Sequence, residues 1–243
     1  MNNKYHNSTD SNMSILEHLI ELRYRVFISL IIFSGVTIIC LIYNKALTYI
    51  LQKPALGIKF LQLAPGEYLF VSVKVAVYSA IIISSPFSLS QIILFILPGL
   101  TKEESRYVIP MIIGSVILFF SGILFSYQIL IPITLNFLIQ YGSDIIEPIW
   151  SFEEYFNFIL LIVFSTGISF QIPVLQLILG LNNIIKWQKM LRYWKYAIFI
   201  ATILSAVITP STDPITQLLM TFIILLLYFS GIIALKFIKT EKT

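Results

Sequence analysis

The sequence predicts an all-α polytopic membrane protein with six transmembrane helices, the last two of them short, and both termini on the cytoplasmic side or its organellar equivalent. Three observations carry that prediction. Of the 243 residues, 58% are hydrophobic and only 12% charged, with a mean hydropathy of +0.89, whereas a soluble domain carries about 25% charge. Six stretches lack any Lys, Arg, Asp or Glu: Val26–Tyr43, Val75–Thr101, Tyr107–Ser143, Tyr155–Ile185, Tyr196–Thr212 and Pro214–Leu235. About 20 apolar residues cross a hydrocarbon core ~30 Å thick, and only a helix satisfies its own backbone there. Finally, 12 of the 16 basic residues fall in the tails and in the second and fourth connections, which assigns that side to the cytoplasm or its organellar equivalent. The chain divides into a polar tail (1–13), one membrane domain (14–238) and a second tail (239–243). Crossings are expected near 26–43, 75–97, 107–138, 155–180, 196–209 and 214–235.

Ser14–Arg25 precedes the first crossing. Ile15, Leu16, Leu19 and Leu22 recur at helical spacing, with Glu17, Glu21 and Arg25 on the opposite face, so this segment is an amphipathic helix at the membrane surface. Glu21 has two readings: an i,i+4 partner for Arg25, or a carboxylate held at the surface for a cationic partner. The first apolar run follows 25 polar or mixed residues with no small-residue cleavage site, the pattern of a signal anchor rather than a cleaved leader.

The first outer connection carries Lys45, Lys53 and Lys59, with Lys74 at the mouth of the second crossing. Pro98 and Gly99 stop that helix, and Thr101 with Glu104 forms a capping box for the third. The third and fourth stretches exceed one span, so their helices project or tilt. Between them lie Asp144, Glu147, Glu153 and Glu154 and no basic residue. Within the fourth, Gln171 sits beside Pro173, and an amide at that depth needs a partner, either on a neighbouring helix or on another molecule. Trp150, Trp187 and Trp194 mark span edges. The fifth stretch barely spans. Thr209–Pro214 makes a tight outer turn in which Asp213 caps a helix whose first residue is Pro214.

The chain's only histidines, His6 and His18, precede the first crossing, which excludes haem held by paired intramembrane histidines. Neither HExxH nor GxxxxGK[ST] is present. Charge is absent from span interiors, which argues against a carboxylate proton relay. Cys40 stands alone, so no disulfide or cysteine-based metal site is expected. No enzyme activity, cofactor, metal or nucleic-acid partner is expected.

Four segments, His18-Leu-Ile-Glu-Leu-Arg23, Phe95 to Arg106, Phe170-Gln-Ile-Pro173 and Thr209-Pro-Ser-Thr-Asp-Pro214, together resemble TatC, the multispanning subunit of the twin-arginine protein translocase. They stand in the family's order across residues 14–238. Leu63-Ala-Pro-Gly-Glu-Tyr68 and Phe170 to Gln176 resemble the cyanobacterial and plastid branch. Isoleucine outnumbers alanine by 45 to 9, the skew of an AT-rich genome, so a plastid-encoded thylakoid membrane protein is expected. The resemblance implies a concave, glove-like bundle that receives precursors with twin-arginine signal peptides. It further implies single-span TatA/TatB-type partners, a homo-oligomeric receptor complex, and transport of folded proteins driven by the proton-motive force. It assigns signal contact to Glu21, Glu103 and Glu104, flanked by Arg23, Phe95, Leu100 and Arg106. Pro54, Tyr127, Gln171 and Asp213 match positions that contact partner subunits or serve as structural polar groups. The chain departs from the pattern at Ser105, where many relatives carry a basic residue, and at Gln171, where many bacterial relatives carry Glu. Two rival classes are a small-solute secondary transporter and a non-transporting membrane scaffold. A transporter would show an internal repeat, which residues 26–142 and 155–235 do not display; a scaffold would need no acids on the cis face.

Overall fold

The amphipathic segment and the first apolar run form one unbroken helix, α1 (Ile15–Ile42), in the computed structural model, which describes residues 15–55, 57–96, 105–142, 149–209 and 214–240. At about 1.5 Å per residue, its 28 residues reach about 42 Å, more than a ~30 Å core requires. It packs along α3 (Glu67–Ile96), where Ala76 and Ala80 are fully buried near Cys40, Phe33 and Val36. Small side chains let the two backbones approach. The outer face, with Ile31, Ile38 and Ile42 exposed, suits lipid. Pro86 lies inside α3 without ending it. It has no N–H for the Ile82 carbonyl, and the Ser85 hydroxyl donates to that oxygen instead, at 2.7 Å.

Between these helices, α2 (Asn44–Gln52) and a 3-10 turn at Lys53–Ala55 lead to β1 (Lys59–Leu61). That strand pairs in parallel with β2 (Ile149–Ser151), Phe60 opposite Trp150. This pair is an exception to the all-helical expectation among the described residues. Strands of three residues are too short to show alternation, and their pairing joins distant connections.

α4 (Val108–Phe125) runs through a π-turn (Ser126–Leu130) into α5 (Ile131–Gly142). Pro132 offers no N–H to the preceding turn, and the ladder widens so that the Ile131 N–H bonds back to Ser126. α6 (Phe152–Ser169) starts with Ser151 Oγ accepting the Glu154 N–H at 3.4 Å, and Glu153 and Glu154 occupy its positive first turn. It supplies the core: Phe156, Ile159 and Ile162 are fully buried, with Val71, Val75, Leu130, Ile131 and Met220 around them. The helix breaks at Phe170–Gln171 and resumes as α7 (Ile172–Leu181), because Pro173 cannot donate to the Ser169 carbonyl.

α8 (Trp187–Arg192), α9 (Trp194–Ile208) and α10 (Pro214–Thr240) complete the chain. Five helical runs among the described residues are long and apolar enough to cross a membrane: Leu16–Ile42, Glu67–Ile96, Val108–Tyr141, Phe152–Leu181 and Pro214–Lys239. The expectation of two short final helices is corrected for one of them. α9, with 15 residues, is short, whereas α10 has 27. The charge-free run ends at Leu235, but lysine is a good helix former. Lys236 lies 5.4 Å from the Trp187 ring and Lys239 donates to Asn183, so the helix carries on past its apolar stretch. α10 lies so close to α7 that a side chain at Gly180 would overlap Leu235, and one at Gly231 would overlap Gln176 and the Pro173 backbone.

One end of the bundle, here the proximal end, gathers the start of α1, the end of α3, the start of α4 and the ends of α7 and α10. His18 stacks on Phe95, and Ile93, Met111, Val174, Ile178 and Leu181 pack with Tyr107 and Ile238. α2 and the strand pair occupy the distal end.

Candidate functional site

At the proximal end α1 and α3 present one connected polar group. Glu21 and Arg25 share a helix face, one turn apart, and both side chains are mostly buried. Arg25 Nε and Nη2 donate to the same oxygen, Glu21 Oε1, at 2.8 and 2.6 Å, and its Nη1 donates to Gln91 Oε1 across the interface at 3.0 Å. Gln91 thus fixes the guanidinium, and the guanidinium fixes the carboxylate. Glu21 Oε2 is buried and accepts no hydrogen bond among the described residues. His18 Nδ1 lies 3.9 Å from it, and the His18 ring stacks on Phe95 with centroids 4.3 Å apart. One oxygen of the carboxylate is therefore oriented and the other has acceptor capacity to spare.

Below this group, an apolar groove of about 440 Å³ runs between α1 and α3, from Arg25, Gln91 and Phe95 at its mouth to Phe33 and Ile81. Arg23 is exposed in a surface hollow of α1 that Glu21 also lines, with Glu17, Ile20, Tyr24 and Phe27. Arg106 is exposed in a 3-10 turn (Ser105–Tyr107) leading into α4. Leu100, Glu103 and Glu104 lie outside the described residues, as does Asp213. The structure thus joins Glu21 to Phe95 through His18 and leaves Arg23 and Arg106 on the surface around them.

Elsewhere, Gln171 faces α4: Ser115 Oγ donates to its Oε1 at 2.9 Å, and its Nε2 donates to the Ser115 carbonyl at 3.0 Å. Pro54 and Tyr127 belong to one unit. Pro54 has no N–H for the Ile50 carbonyl, which takes the Lys53 N–H and the Tyr127 hydroxyl, the latter at 2.6 Å. Tyr155 donates to the next carbonyl, Leu51, at 2.9 Å. The π-turn presents Tyr127 to α2.

Sequence reasoning missed a second polar cluster, at the distal end. The Glu67 carboxylate, 3% exposed, accepts the N–H groups of Leu63, Ala64 and Glu153, at 2.6, 3.0 and 2.8 Å. Lys74 Nζ donates to Glu153 Oε1 at 2.6 Å and to Asn157 Oδ1 at 3.0 Å. A lysine two turns inside an apolar helix needs a partner, and that was the available signal. Together with the strand pair, these contacts tie the first and second distal connections together. Among the described residues no three His, Cys, Asp or Glu side chains are grouped to hold a metal ion.

Residues 17–222 match the family model described as Sec-independent protein translocase protein (TatC). A tatC-like protein, ycf43, of Gracilaria tenuistipitata var. liui is 61% identical over 230 residues, covering 95% of this chain and 97% of that one. The chloroplastic Sec-independent protein translocase protein TATC of Pisum sativum is 46% identical, over 91% of this chain and 64% of its own. The crystal structure of a twin-arginine translocase receptor, TatC, superposes with a TM-score of 0.80 at 36% identity, covering 91% of this chain and 99% of that one.

Proposed function

The chain belongs to the TatC family of Sec-independent protein translocase proteins, a translocase component rather than an enzyme, and on that premise we propose that its proximal face receives twin-arginine signal peptides. The observation that carries this reading is the half-used carboxylate of Glu21. Arg25, itself fixed by Gln91, donates twice to Oε1, and Oε2 accepts nothing among the described residues. An incoming guanidinium completes the carboxylate with a charge-assisted bond at Oε2 and keeps its other N–H groups, fixed in one plane, for further acceptors. Glu103 and Glu104 supply the acids for the second arginine, with Leu100, Arg23 and Arg106 around them. The apolar groove beginning at Phe95 takes part of the hydrophobic stretch of the signal. An exposed ion pair contributes only about 0–1 kcal/mol, so selectivity rests on two such pairs and the groove acting together.

The membrane is crossed six times, near 26–43, 75–97, 107–138, 155–180, 196–209 and 214–235, with α9 as the fifth and shortest passage. The proximal end faces the stroma, consistent with the basic residues counted there. The protein resides in the plastid, in the thylakoid membrane, a reading supported by its chloroplastic relative and its five membrane-length helices. Single-span TatA/TatB-type subunits join it, several copies form the receptor complex, and the proton-motive force drives passage of the folded cargo. Pro54, Tyr127, Gln171 and Asp213 keep the bundle in the shape those subunits contact.

Membranes carrying Glu21→Ala or Glu104→Ala are expected to hold normal amounts of the protein and to lose binding of an Arg-Arg precursor. Normal precursor binding by both variants, with reduced abundance, would make these acids structural and overturn the reading.

A further inference from the structure

We propose that the basic hollow around α8 binds the phosphate headgroup of an acidic membrane lipid. It is a cavity of about 590 Å³ lined by Asn183, Lys186, Gln188, Lys189, Arg192 and Tyr193. Lys186 precedes α8, and Lys189 and Arg192 follow at spacings of three, so the three cations fall on one face of a helical turn. None of them has a carboxylate within 4 Å among the described residues. The sequence itself contains no Asp or Glu from Tyr155 to Thr212. Among the described residues, three cations converge on one hollow with no anion to meet them.

The surroundings point to a lipid rather than a dissolved anion. Trp187 and Trp194 flank the hollow, each with a lysine over its ring, Lys236 at 5.4 Å and Lys195 at 6.0 Å. Ile184, Leu191, Tyr193 and Tyr196 are exposed beside them. Tryptophan and tyrosine alternating with lysine is the composition of the headgroup layer, and basic pockets between helices at that level hold anionic headgroups. The site is also preformed. Met190 is buried against Ile232 and Leu235, and the Tyr228 hydroxyl donates to the Met190 carbonyl at 2.8 Å, so α8 is pinned to α10 from below while its cations face outward. This site is separate from Glu21 and does not depend on the signal-peptide reading.

The test uses the full-length protein in micelles of an uncharged detergent, with tryptophan emission reporting on titrations of short-chain phosphatidylglycerol, short-chain phosphatidylcholine and inorganic phosphate. Saturable binding of phosphatidylglycerol is expected, with phosphatidylcholine and free phosphate at least tenfold weaker. At roughly fivefold per cation near an anionic surface, Lys189→Gln with Arg192→Gln should weaken it more than tenfold, whereas Arg192→Lys retains most of it. Lys45→Gln with Lys59→Gln, an equal charge change in the distal connection, should leave it intact. Equal binding of phosphatidylcholine would overturn the proposal. So would free phosphate binding as tightly as the lipid, which would mark a site for a soluble anion. Equal loss in the distal control, which would reduce the effect to net charge, would do the same.

Discussion

Replacing Gln171 by leucine removes two hydrogen bonds joining α4 to the break between α6 and α7, those with Ser115 Oγ and the Ser115 carbonyl. Interhelical hydrogen bonds in membrane proteins average about 0.6 kcal/mol and reach about 1.7, so the loss should be about 1–3 kcal/mol. Leucine is close to glutamine in volume, so little of that cost comes from packing. Ser115 is fully buried, and Ser115→Ala removes the hydroxyl bond while leaving the backbone one. A double-mutant cycle on these positions therefore isolates a single contact, with an expected coupling of about 0.6–1.7 kcal/mol. Reversible unfolding in mixed micelles containing an ionic denaturing detergent, followed by helical circular dichroism, measures it. Additive effects, with coupling below ~0.3 kcal/mol, would refute the assignment of the amide to this pair. Both ends of the amide are engaged inside the chain, so crosslinks from folded Gln171→Leu to a single-span partner should persist at normal yield.

Tyr127→Phe should cost about 0.5–1.5 kcal/mol by removing the hydroxyl on the Ile50 carbonyl; an unchanged melting temperature would argue against that anchor. Lys74→Met strands Glu153, whose side chain is only partly exposed, and should cost about 1 kcal/mol or more. Adding Glu153→Gln should restore part of that loss, and no restoration would separate the two residues energetically. Gly231→Leu should destabilise by at least about 1–3 kcal/mol because of the overlap with Gln176 and the Pro173 backbone, read as lowered thermal stability.

Three prolines show where the sequence was readable and where it was not. Pro86, Pro132 and Pro173 all fall in apolar runs that the hydrocarbon's demand for self-satisfied backbone marks as helices. Their outcomes differ because the neighbours differ. Ser85 covers the carbonyl freed by Pro86, the ladder widens to a π-turn before Pro132, and at Pro173 the helix breaks and Gln171 turns to Ser115. Spans were legible because charge is excluded from lipid along a continuous stretch. The end of α10 was not, since lysines beyond Leu235 continue the helix at the surface. In the candidate site the Glu21–Arg25 pair could be read from i,i+4 spacing. The bond from Arg25 to Gln91 spans 66 residues of sequence, and no local pattern announces it. Glu67 was likewise hidden, because the N–H groups it accepts come from two separate connections.

The central claim is that the carboxylate of Glu21 meets an arginine of the signal. A photoreactive side chain at Leu22, next to Glu21 and lining the mouth of the groove, tests it in membranes offered two precursors that differ only in carrying Arg-Arg or Lys-Lys. The account predicts a crosslink to the Arg-Arg precursor that falls by roughly tenfold or more with Lys-Lys, a difference of about 1.4 kcal/mol, and that disappears when Glu21→Ala is introduced beside the probe. Equal crosslinking of the two precursors, unaffected by Glu21→Ala, would contradict it.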